Sequence, residues 1–125
     1  MTYEVGTSIR VRALHRMPVE GPEGELHAHD YRLDVVVSRT KLDAHGMVVD
    51  LDRLDTELAS IRSELEGKDL EVIRPQDAEA VTVEVFARWT HERLAPVVRD
   101  SGGGALAVRV FESETAFGGY VATVS

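Results

Sequence analysis

At 125 residues the chain is long enough for one domain, taken here as residues 1–125, and too short for two comfortable ones. It contains no cysteine, which excludes disulfides, thiolate metal ligands and a cysteine nucleophile, and its net charge of −8 argues against nonspecific nucleic-acid binding. No stretch approaches a membrane span and "MTYEVGTSIR" lacks the apolar segment of a secretory signal, so the cytoplasm is the expected compartment.

Residues 8–14, "SIRVRAL", alternate, with Ile9, Val11 and Ala13 on one face, and His15 continues that apolar phase. The next segment, "RMPVEGPEGE", carries two prolines and two glycines and predicts the loop of a hairpin. Its second strand reads "LHAHDYRLDVVV". Here His27, His29, Tyr31, Leu33, Val35 and Val37 fall on one face, while Ala28, Asp30, Arg32, Asp34, Val36 and Ser38 make a mostly polar other face. Both imidazoles therefore lie on the buried side, at the end where the apolar run begins.

"DAHGMVVD" leads into a helix whose apolar positions are Leu51, Leu54, Leu58, Ile61 and Leu65, with Asp50 as N-cap and Gly67 just past the end. Residues 66–81 are irregular and acidic around Pro75. A second helix is expected from about Thr82, its N-cap, to Val98, with Val85, Phe86, Trp89 and Leu94 on its apolar stripe. "DSGGG" is a turn, "ALAVRVFESE" a third strand and "GGYVATV" a fourth. The order ββααββ predicts an α+β fold, an antiparallel four-stranded sheet with two helices on one face.

Three in-phase histidines carry the chemistry. A hairpin makes the end of the first strand and the start of the second neighbours, bringing His15 to His27 and His29. Three neutral imidazoles suit zinc and leave a fourth position open for water or substrate. The plain alternative is three partly buried rings hydrogen-bonded to backbone. Glu112 shares a face with Leu106, Val108 and Val110, where an unpaired carboxylate is costly. Either it is solvated at the strand end or pairs with an arginine, or it receives a guanidinium-like edge with two parallel donors, such as the amino-pyrimidinone of a pterin. A cupin barrel also uses an "HxH" strand, but follows it closely with a glutamate; here the next one is Glu57, inside the first helix.

Taken in order, "RALH", "LHAHDY", "GMVVDL", "VTVEVFARW" and "VRVFES" resemble the "AAH", "HGH", "GMVxDF", "PTxExxA" and "VxVxET" motifs of the 6-pyruvoyl- and 6-carboxy-tetrahydropterin synthase family. The resemblance spans nearly the whole chain. It implies the T-fold, with subunits joining into a barrel of trimers, commonly stacked as a hexamer, and pterin pockets between subunits. It implies zinc held by His15, His27 and His29, a pterin ring anchored by Glu112, and Thr82 and Glu84 in the second-helix motif, Thr82 touching substrate. The reaction implied is that of a zinc-dependent lyase on 7,8-dihydroneopterin triphosphate or a close pterin.

Two positions depart from the family pattern. Where the family places a cysteine base, four residues before the "HGH" motif, this chain has Glu23, with Glu25 as competitor. Where the family has the Asp–His of "LDHxxLN", this chain reads "LEGKDLEV", giving Glu66 and Gly67. Glycine cannot carry a proton. His45 and His91 match no family catalytic position and are each expected as a surface or half-buried residue. Arg10, Arg12, Arg16 and Arg32 in the first hairpin offer cations for a triphosphate.

Overall fold

The computed structural model describes residues 1–125. Strand β1 (Tyr3–His15) and strand β2 (His27–Arg39) form a hairpin in continuous antiparallel register, from Tyr3 opposite Arg39 to His15 opposite His27. Helices α1 (Leu51–Leu65) and α2 (Val83–Asp100) follow, then strands β3 (Gly104–Phe111) and β4 (Phe117–Val124). The sheet order is β1-β2-β3-β4, all antiparallel.

The alternation in the strands decides where the core lies. Val11, Leu33, Val35, Val37, Leu106, Val108 and Val110 are completely buried against Leu54, Ile61, Phe86 and Leu94 of the helices. Helix α1 packs on β1, and α2 packs on β3 and β4. Both N-caps are as expected: the Asp50 carboxylate accepts from the Arg53 N–H and the Thr82 hydroxyl from the Val85 N–H, each at 3.1 Å. Neither helix is long and apolar enough to cross a membrane.

Several boundaries differ from expectation. β1 begins at Tyr3, because residues 3–7 complete the ladder with residues 35–39 although their side chains are mostly exposed. β3 stops at Phe111, since the Glu112 N–H donates to the Ala116 carbonyl and the Ser113 hydroxyl accepts from the Ala116 N–H, closing a turn. α2 continues to Asp100 despite Pro96.

Residues 66–68 lie along the β1 edge. The Glu66 carboxylate accepts from the Arg12 N–H, Gly67 donates to the Arg12 carbonyl, and Leu14 donates to the Lys68 carbonyl. Gly67, at φ 74°, makes the left-handed turn out of α1 that this requires. The edge of β1 is thereby covered at the histidine end, where unpaired strand groups would otherwise face outward.

Candidate metal centre

The hairpin register builds the centre. His15 is opposite His27, and His29 is opposite Ala13, one pleat further along the same face. Ring centroids are 5.1 Å apart for His15 and His27, 4.8 Å for His27 and His29, and 5.8 Å for His15 and His29. His15 is 6% exposed, and the other two are half-buried. With Glu23 they form a group whose ligand atoms all lie within 4.8 Å of one another.

The outer nitrogens of His15 and His27 are already committed. His27 Nδ1 is 2.7 Å from the Glu25 carbonyl, an acceptor only, so Nδ1 carries the hydrogen and donates. His15 Nε2 is 3.2 Å from the Met17 sulfur, again an acceptor only. With the His15 hydrogen on Nε2, toward the Met17 sulfur, His15 Nδ1 and His27 Nε2 present lone pairs to each other at 3.3 Å. His29 Nε2 is buried with no hydrogen-bond partner at all. Lone pairs that converge without a proton call for a cation, and neutral imidazoles with their far nitrogens hydrogen-bonded are the form in which histidine binds one. The donor set fits a divalent metal.

Burial holds the His15 imidazolium below the ordinary histidine range, and the neighbouring His27 and His29 push it in the same direction. Glu112 and Glu23 oppose that shift weakly. Beneath His29, the buried Tyr31 phenol stacks edge-on at 5.5 Å and is pushed well above its usual value, by burial first and then by Glu112 and Glu23.

Glu23 reaches the group from the loop. A single 3-10 turn, Pro22–Gly24, carries it, and the Met17 N–H donates to the Glu23 carbonyl at 2.8 Å. Gly24 sits so close to Val19 that a Cβ would meet the Val19 carbonyl oxygen at 1.9 Å, so no larger residue fits without moving the loop. The Glu23 carboxylate ends 3.5 Å from His27 Nε2. Of the two candidate glutamates it is Glu23 whose side chain is at the centre; Glu25 is exposed and supplies its backbone carbonyl. Sequence reasoning missed Met17 and that carbonyl, because only the folded loop brings them to the rings.

The remaining expected residues are dispersed. Glu112 is exposed just beyond β3 and borders a cavity of about 290 Å³ with His29, Arg10, Arg12, Arg32 and Ser113. In the single chain its side chain is solvated. Arg12 and Arg32 point to the opposite face of the sheet from the histidines and are paired at 3.0 Å with Asp30 and Asp34. The Thr82 hydroxyl is engaged as the α2 cap, and Glu84 is exposed beside it. His45 is exposed as expected. His91 is not near the surface: it is buried to 6% exposure between α2 and β4, where Nε2 donates to the Ala122 carbonyl at 3.3 Å and the ring meets Tyr120 edge-on.

A donor cluster at the hairpin end of a four-stranded, two-helix α+β subunit defines a T-fold protein with a candidate metal site. The chain belongs to the 6-pyruvoyl tetrahydropterin synthase family, whose sequence pattern matches residues 4–122. The fold of that family supports a pterin-synthesis type of function. Among solved structures, the chain is similar to 6-pyruvoyl tetrahydropterin synthase of Caenorhabditis elegans, with 19% identity, a TM-score of 0.74, and 98% of this chain and 96% of that one covered. For the Plasmodium falciparum enzyme the identity is 12% and the TM-score 0.78, over 98% and 99% of the two chains. A Plasmodium vivax 6-pyruvoyltetrahydropterin synthase, at 12% identity and TM-score 0.75 over 99% of both chains, carries cysteine in place of a catalytic glutamate. No curated protein matches the sequence.

Proposed function

We propose that the protein is a zinc-dependent lyase acting on 7,8-dihydroneopterin triphosphate or a close pterin. The observation that carries this reading is the convergence of His15 Nδ1, His27 Nε2 and the orphaned His29 Nε2 beside a glutamate. Those three nitrogens would hold zinc, which when bound supplies a Lewis acid that steadies negative charge on the side-chain oxygens of the substrate. Glu23 accepts the proton from the hydroxyl-bearing carbon and returns it later in the reaction. A catalytic glutamate in the Plasmodium vivax relative gives this assignment a precedent within the family. Glu112, exposed and free of an ion pair within the subunit, takes the two parallel donors of the amino-pyrimidinone edge. The Thr82 hydroxyl accepts from Val85 and keeps its own hydrogen to donate to substrate.

Glu112 is exposed in one subunit, so this reading closes the pocket with a second copy, in a trimer or hexamer. A specific observation also favours a second reading, a family member with a shifted substrate or reaction. Gly67 has no side chain to relay a proton, and the Glu66 carboxylate is engaged by the Arg12 N–H. Zinc-loaded protein incubated with dihydroneopterin triphosphate separates the two, with phosphate release and pterin products followed together. The lyase reading expects turnover that Glu23→Gln abolishes and Glu25→Gln spares. Tight pterin binding without turnover would contradict it.

A further inference from the structure

We infer that Glu23 is the fourth ligand of the resting metal centre, closing the position that three histidines alone leave open. Four ligands at zinc bond lengths of about 2.0–2.1 Å sit roughly 3.3 Å from one another in a tetrahedron. His15 Nδ1 and His27 Nε2 are 3.3 Å apart, and His27 Nε2 and Glu23 Oε2 are 3.5 Å apart. The second separation is long for an ion pair that shares a hydrogen. A charge-assisted hydrogen bond from a protonated ring would be shorter, about 2.7–2.9 Å. With Nδ1 of His27 donating to the Glu25 carbonyl, a neutral ring offers Glu23 only a lone pair. A carboxylate oxygen facing a nitrogen lone pair at this range is close to the spacing of two ligands on one cation, and the full group, all within 4.8 Å, would draw in on binding.

The loop is shaped to present that carboxylate. The Met17 N–H holds the Glu23 carbonyl, the Gly24 and Glu25 N–H groups close the turn onto Gly21 and Pro22, and Gly24 lies against the Val19 carbonyl. The same segment places the Met17 sulfur on His15 and the Glu25 carbonyl on His27. One short turn therefore orients two rings through their outer nitrogens and adds a fourth donor from the solvent side, where the Glu23 side chain is 64% exposed. This deepens the lyase reading and rests on it in one respect. A carboxylate in the ligand shell is withheld from proton transfer until it swings away, so the base of the reaction is stored on the centre at rest.

The test is metal binding. Zinc affinity is measured by competition with a chromophoric chelator, and cobalt(II) is substituted to read coordination from its visible bands, for wild type, Glu23→Ala and Glu25→Ala. Glu23→Ala is expected to weaken zinc binding by more than the roughly 10–100-fold typical of losing a supporting residue, and to alter the cobalt bands. Glu25→Ala, which keeps its backbone carbonyl, should change neither. Because Glu23 is exposed, the metal-free variant should melt like metal-free wild type, which separates ligand loss from misfolding. Unchanged affinity and unchanged cobalt bands in Glu23→Ala overturn the ligand. If that variant also loses turnover, the base stands while the ligand falls. Ligation retained in a wild type that turns over no pterin upholds the ligand and sinks the lyase.

Discussion

Two buried histidine environments sit in this molecule, and they differ in what satisfies the ring. His91, between α2 and β4, is as buried as His15, yet its Nε2 has the Ala122 carbonyl and its face has Tyr120. At the hairpin end, His29 Nε2 is buried with no partner, and His15 and His27 turn lone pairs toward each other. Burial alone says little about a histidine. The informative feature is a ring nitrogen that the protein itself leaves unmatched, since burying a polar atom unpaired is costly and selects for a ligand.

The largest expected effect lies at the hairpin end. His27→Ala should abolish stoichiometric metal in the dialysed protein while leaving the far-ultraviolet circular dichroism close to wild type, because the site is at a strand end rather than in the core. Full metal content in that variant would refute the ligand assignment. At the other environment His91→Ala should leave metal content intact. It should lower the unfolding free energy in a denaturant titration by about 1 kcal/mol, the net contribution of a part-buried hydrogen bond.

An effect of similar size tests the start of the element that carries His91. Thr82→Ala removes the α2 cap and should cost about 1 kcal/mol in the same titration, again without change in metal content. The smallest concerns the exposed histidine. Next to His45, the Asp43 carboxyl is held below the usual carboxylate range by the Met47 and His45 N–H groups. A depressed carboxylate stabilises above its unfolded value, and the contribution is lost as pH falls through the folded one. Asp43→Ala should therefore speed amide exchange at residues 45 and 47 at neutral pH, and the difference from wild type should vanish in strong acid. Metal content should not respond.

How much of this was legible in the sequence follows from which forces set each feature. The period of two in "HAHDYRLDVVV" and the continuation of the β1 phase into His15 put three rings on one buried face, and the hairpin register did the rest. The α1 and α2 caps were equally readable, because a cap is a local hydrogen bond. The Met17 sulfur, the Glu25 carbonyl and the tight approach of Gly24 were not readable, since they depend on backbone angles in a loop that has no periodicity. Residues 3–7 escaped for a different reason: the ladder holds them through backbone groups, and their side chains show little of it. His91 was misjudged because its partner is a backbone carbonyl 31 residues away.

The most direct measurement is X-ray absorption at the zinc edge on protein carrying one equivalent of zinc. The account predicts a four-coordinate ion with nitrogen and oxygen neighbours at about 2.0–2.1 Å and an outer-shell pattern that fits three imidazoles. A spectrum fitted with one imidazole or none, or zinc that passes through dialysis unbound, would contradict it.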